Sequence, residues 1–199
     1  MNELRIKDFY GVLKTFSDWE YLFYKIQYDI APTLAGIKPS SLMTFHNHNR
    51  RLLSLWDRFK EEICKQLDIY YYELGRKNQR VMVLFYRDEG LANCLNIGKN
   101  RAFLVEQGYR ERETIEESLS FLKERFQEEC PHELGVFLGY PIEDVITFIE
   151  SKGAPSLVCK YWKVYQNVEN ALKIFAAYDR ERAKVINAVL QKQKRRKIA

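Results

Sequence analysis

The stretch Ile69-Tyr-Tyr-Tyr-Glu-Leu-Gly-Arg-Lys-Asn-Gln-Arg-Val-Met-Val-Leu-Phe-Tyr86 decides the fold class. Ile69–Leu74 and Arg80–Tyr86 are rich in the β-branched and aromatic residues that suit strands, and the turn residues Gly75-Arg-Lys-Asn-Gln79 lie between them. From Val81 to Tyr86 every residue is apolar or aromatic. A strand with one face in water alternates, so this run predicts a central strand buried on both faces.

Outward from this hairpin the chain reads mostly as helix. Phe9, Val12, Leu13 and Phe16 recur at helical spacing, and Ser17-Asp-Trp-Glu20 reads as a capping box with Phe16 and Tyr21 as its hydrophobic staple. The helix that follows, to about Ile30, has Trp19, Leu22, Phe23, Ile26 and Ile30 on one face and Tyr21, Tyr24 and Tyr28 nearly opposite. That tyrosine face is either covered by residues 3–16 or open to a partner, including a second copy of the chain. Ala31–Pro39 is a turn-rich link, and helices are expected at 49–67, 88–96 and 99–107 and from Thr114-Ile-Glu-Glu117, a second capping box. Pro131-His-Glu-Leu-Gly-Val-Phe-Leu-Gly-Tyr-Pro141 reads as a short strand and turn. Pro141 then opens a helix with Ile142, Val145, Ile146 and Ile149 inward, and Gly153 ends it. Val158–Tyr165 alternates as a last strand, and Asn167 caps a final helix. About four strands among at least six helices predict an α+β fold, a small, mainly antiparallel sheet packed against helices.

Bulk composition narrows the function classes. With 46% hydrophobic and 30% charged residues in a chain of 199, the composition is that of a soluble globular protein. The formal charge of +5 equals the five charges of Lys192, Lys194, Arg195, Arg196 and Lys197, so the remainder is neutral. At most, weak nucleic-acid binding borne by this tail is expected, because a basic tail attracts phosphates without forming a groove. Cys64, Cys94, Cys130 and Cys159 form no Cys-x-x-Cys pair, and the N-terminus has no signal-peptide apolar region. No run is long enough to span a membrane. A cytoplasmic protein with reduced thiols and no membrane association is expected.

Three stretches resemble a bacterial family, the domain of unknown function 3793. They are Ala31-Pro-Thr-Leu-Ala-Gly-Ile-Lys38, the Pro131–Pro141 segment with Glu143-Asp-Val145, and Trp162-Lys-Val-Tyr165. The family's Pro-His-Glu and Leu-Gly-Tyr-Pro motifs fall on Pro131–Glu133 and Leu138–Pro141. The resemblance covers about residues 18–180 and implies no established activity. Family members often carry a cysteine before the Ala/Ser-Pro-Thr-Leu element and others near Trp-Lys-Val-Tyr. Here Ile30 and the lone Cys159 stand at those places, which argues against a cysteine-based metal site. The tyrosine-rich N-terminus and the basic tail look like additions. The expected organisation is a helical extension at 1–30, a single core at 31–180, and a helix end with basic tail at 181–199.

His132 and Glu133 are the candidate chemical groups, since a histidine titrates near neutral pH and a carboxylate can tune a neighbour. Tyr140, Trp162 and Tyr165 complete the expected ligand-binding set. Glu143 and Asp144 place negative charge in the first turn after Pro141, which disfavours a phosphate there. A purely structural reading has His132 capping a turn, with Gly135 and Gly139 allowing close packing. His46-Asn-His48 has a metal-like spacing without a third ligand, and Cys130-Pro131 is a dipeptide found in haem-regulatory sites. No metal ligand set and no named cofactor emerge. The sequence therefore points to a non-catalytic domain that binds a small ligand or a protein partner near Pro131–Pro141. The alternatives are an enzyme using His132 as acid and base, or a metal- or haem-linked accessory protein.

Overall fold

The computed structural model describes residues 3–48, 50–127 and 130–198. In chain order the elements are α1 (Glu3–Leu13), α2 (Asp18–Asp29), α3 (Ala31–Leu34), β1 (Ser40–His46), α4 (Leu52–Leu67), β2 (Tyr70–Lys77) and β3 (Arg80–Tyr86). There follow α5 (Asp88–Leu95), α6 (Gly98–Glu106), α7 (Ile115–Arg125), α8 (Leu134–Phe137), α9 (Ile142–Glu150), β4 (Val158–Cys159), β5 (Lys163–Val164) and α10 (Val168–Ile198). The fold is α+β, with ten helices among the described residues, a three-stranded antiparallel sheet and a two-stranded antiparallel ribbon.

The central strand is β3, as its apolar run predicts, in the order β1-β3-β2. Its side chains alternate between two cores. Val81, Val83 and Phe85 join Met43 and Phe45 of β1 against α2 and α4, where Trp56 stacks on Phe45 with ring centroids 4.7 Å apart. Leu84 and Tyr86 join Leu74 on the other face, against Leu91 of α5, Leu104 of α6, Leu122 of α7 and Phe137 of α8. The hairpin turn is tighter than expected. Gly75, Arg76 and Lys77 pair with β3, leaving Asn78 and Gln79, both at positive φ, as a two-residue turn. That geometry matches the right-handed twist of the flanking strands.

Several expectations need correction. β1 falls in a stretch with no assigned element; its Ser40 and Ser41 are buried because Ser40 Oγ donates to Phe137 O (2.7 Å) and the Ser41 and Thr33 hydroxyls bond to each other (2.7 Å). The Pro131–Pro141 stretch is not a strand but one helical turn, α8. A short apolar run does not by itself distinguish the two. Val158–Tyr165 folds back on itself as β4 and β5 rather than forming one strand. Asn49, in the expected helix at 49–67, lies outside the described residues.

The tyrosine face of α2 is not open. Phe9 and Tyr10 of α1 pack on Tyr28, Phe16 packs on Tyr24, and Ile186 and Val189 of α10 close the same cluster. Tyr28 is buried in this cluster and Tyr21 and Tyr24 are half-buried against it, so α1 and α10 cover most of the face expected to be open to a second copy. Nor is the basic end a frayed tail: α10 runs on to Ile198, and Lys192 and Arg196 both bond Glu20 at the start of α2. The Lys197 side chain lies outside the described residues. Thr114 and Glu117 form the complete reciprocal capping box at α7. At α2, Ser17 accepts from Glu20 N, while the Glu20 carboxylate reaches the two basic side chains of α10.

Candidate functional site

Two glycines shape the Pro131–Pro141 segment. Gly139 sits at φ +72°, and a Cβ there would lie 2.5 Å from Pro39 Cδ, so the segment presses directly on the chain entering β1. A Cβ on Gly135 would meet Val145 Cγ2 at 2.8 Å, which brings α8 against α9. With Ser40 bonded to Phe137 O, these contacts fix α8 on the sheet. Tyr140 N then closes the turn on Gly135 O at 2.9 Å, and Pro141 stands just before α9.

Across the turn lies the β4–β5 ribbon, held by Asp144. This carboxylate is 3% exposed and accepts from Trp162 Nε1 (2.8 Å), Tyr165 N (2.8 Å) and Gln166 N (3.1 Å). Tyr140 stacks on Trp162 with centroids 5.3 Å apart, and Trp162 meets Phe175 of α10 edge-on at 4.5 Å. Burial pushes the Tyr140 phenol up to about 12, so it is neutral at physiological pH.

Between turn and ribbon opens a hollow of about 500 Å³ walled largely by Leu134, Leu138, Val145, Phe148, Tyr140 and Trp162. His132 stands at its rim. The residue is exposed, its ring meets Phe148 edge-on at 5.3 Å, and its imidazole makes no hydrogen bond to any described residue. A second, polar hollow of about 240 Å³ lies on the other side of His132, lined by Gln107, Arg125 and Glu133. Glu133 is 1% exposed and paired with Arg125. The Glu133 carboxylate is thus held by Arg125 and does not bond the neighbouring imidazole.

Of the expected site residues, His132, Tyr140 and Trp162 meet at the larger hollow, and Glu133 belongs to the smaller one. Tyr165 lies apart from both hollows. Its hydroxyl donates to Ala154 O (2.9 Å) and its N–H to Asp144, so it ties the ribbon together and does not line the hollow. Sequence reasoning missed Phe148 and Lys163 and read Asp144 only as a helix-terminus charge. The i,i+4 spacing of Asp144 and Phe148 places them on one face of α9, the only local signal. Lys163 Nζ donates to Gly153 O (2.7 Å) and lies 5.3 Å from the Phe148 ring centroid.

Burial, then the Glu133 carboxylate, pushes the Cys130 thiol up. His46 and His48 have ring centroids 5.2 Å apart, and His46 Nδ1 accepts from His48 N at 3.4 Å. Among the described residues, no group of three or more His, Cys, Asp or Glu side chains is arranged to hold a metal ion. No helix among them is long and apolar enough to cross a membrane.

No curated protein and no solved structure matches the chain. The family model described as "Protein of unknown function (DUF3793)" matches residues 26–199. That span contains both hollows, the ribbon and all of α10, so the basic end lies within the family's length and is not an addition to it. The chain belongs to the DUF3793 family of proteins of unknown function.

Proposed function

We propose that the protein is a binding module that holds a small, mostly apolar molecule between the α8–α9 turn and the β4–β5 ribbon, without turning it over. The carrying observation is a largely apolar space of about 500 Å³ with an exposed imidazole, free of hydrogen bonds to described residues, at its rim. Ligand pockets combine these parts, apolar walls for affinity and a few polar groups for orientation. The body of the ligand packs on Leu134, Val145 and Phe148, and its polar group meets His132. The pairing of Glu133 with Arg125 rather than His132 supports binding over acid–base catalysis, since that carboxylate does not tune the imidazole.

Fluorescence titration with 1-anilinonaphthalene-8-sulfonate, an aromatic anion with one polar group, tests the reading. Saturable binding to the native protein is expected, weakened about tenfold in His132→Ala with the unfolding midpoint unchanged, as for loss of a hydrogen bond to a charged partner. Dye binding indifferent to His132→Ala would sink the assignment. A reaction abolished by the same variant would favour the acid–base alternative.

A further inference from the structure

A third hollow, of about 520 Å³, shares no lining residue with either of the two beside His132. It lies where β1 and β2 begin and β3 ends. The loop after α3 contributes Lys38; the end of α4 and start of β2 contribute Asp68 and Tyr70; and the start of α5 contributes Arg87, Asp88 and Glu89. Residues of both signs therefore line one space, yet they do not neutralise each other. Among the described residues, Lys38 and Arg87 form no ion pair or hydrogen bond with any of the three carboxylates. Arg87 Nε is also closed off from solvent without a partner. The Lys38 ammonium lies over the Tyr140 ring, 5.8 Å from its centroid. α5 begins with no side-chain cap, so its first backbone N–H groups are free as donors beside Arg87.

The electrostatics agree with this geometry. Burial, then the nearby Arg182, pulls the Lys38 ammonium down to about 8, as for a cation without a counter-charge. Burial and Glu116 raise the Asp88 carboxyl, as for an anion without one. A simple phosphate satisfies the cations but must sit among three carboxylates. A metal ion satisfies the carboxylates but must sit beside two cations. A ligand carrying one charge of each sign on a short skeleton satisfies both halves.

We infer that this hollow binds a small zwitterion of the α-amino acid class, its carboxylate against Lys38, Arg87 and the start of α5 and its ammonium among Asp68, Asp88 and Glu89. Tyr70, which is 58% exposed at the rim and stacked on Tyr86, offers a face for the side chain of the ligand. The inference stands apart from the apolar site, and the two can fail separately.

Isothermal titration of the full chain with a panel of free α-amino acids, their N-acetyl and amide derivatives, and inorganic phosphate tests it. At least one free amino acid should bind saturably, and removing either charge from it should weaken binding about tenfold or more, as for loss of a charge-assisted hydrogen bond. Lys38→Met and Asp88→Asn should each have a similar effect, while His132→Ala should have none. Because the derivatives probe both charges on the native protein, the test does not depend on the variants folding. Binding of phosphate alone would overturn the proposal, as would equal binding of the N-acetyl derivatives or no amino acid binding with a Kd below about 10 mM.

Discussion

At Asp144 one buried carboxylate takes three hydrogen bonds, with Oδ2 accepting from the Trp162 indole and Oδ1 from the backbone of Tyr165 and Gln166. All three donors lie on the ribbon and all the acceptor capacity lies on α9, so this residue sets the width of the apolar hollow. Asp144→Asn retains the shape but turns an N–H₂ group toward at least one of those donors. The expected cost is about 2–4 kcal/mol, the range for losing charge-assisted bonds in a buried setting, measured by urea unfolding followed by tryptophan fluorescence. Tyr165→Phe, which removes only the bond to Ala154 O, should cost about 1 kcal/mol in the same assay. An Asp144→Asn variant as stable as the native protein would mean that the ribbon is held by packing alone. Little of this is legible along the chain. Asp144 follows a proline at the start of a helix, where acidic residues are ordinary, and its partners lie 18 to 22 residues downstream.

The pairing of α2 with the end of α10 turns on Glu20. Burial pulls its carboxyl upward, but hydrogen bonds from Arg196 and Lys192 outweigh that and hold it at about 2, against an ordinary value of 4.5. A carboxyl with a depressed folded-state pKa stabilises fully above its unfolded value. The contribution therefore holds above about pH 4.5 and is lost as pH falls toward 2. Lys192 also donates to Tyr24 Oη (2.8 Å), and Arg196 lies 4.8 Å from the Phe16 ring centroid. Truncation after Leu190 should then cost about 1–2 kcal/mol, kept small by the partial exposure of both basic partners, and lower Tm by roughly 3–8 °C. Calorimetry across pH should show the gap between truncated and full-length protein closing below about pH 4.5. A gap independent of pH would assign the effect to apolar contacts instead. Charge counting located these basic residues correctly and misread their role, because the acidic partner lies more than 170 residues away.

In the whole molecule, α10 joins the parts: it packs along α1, α2 and α3, and its first turns support the ribbon through Phe175 and Tyr178. Residues 1–25 lie outside the family match, yet Phe9, Leu13 and Phe16 are buried between α2 and α10. Deleting residues 1–16 should remove roughly 5 kcal/mol or more, at about 1.5–3 kcal/mol per buried side chain, and lower Tm by about 10 °C or more in differential scanning calorimetry. An unchanged Tm would make α1 a detachable extension. The sequence by itself determined the features that depend on neighbours in the chain. These are the fold class, the central place of Val81–Tyr86 and the capping box at Thr114–Glu117. Short-range periodicity and capping are local interactions, so they leave a local trace. Only the tertiary structure decided that Ser40–His46 is a strand, that Leu134–Phe137 is helical, that the tyrosine face is core and that Tyr165 is a tie. In each case burial or a hydrogen bond from a distant element outweighs local preference, and such partners are supplied only once the chain has folded.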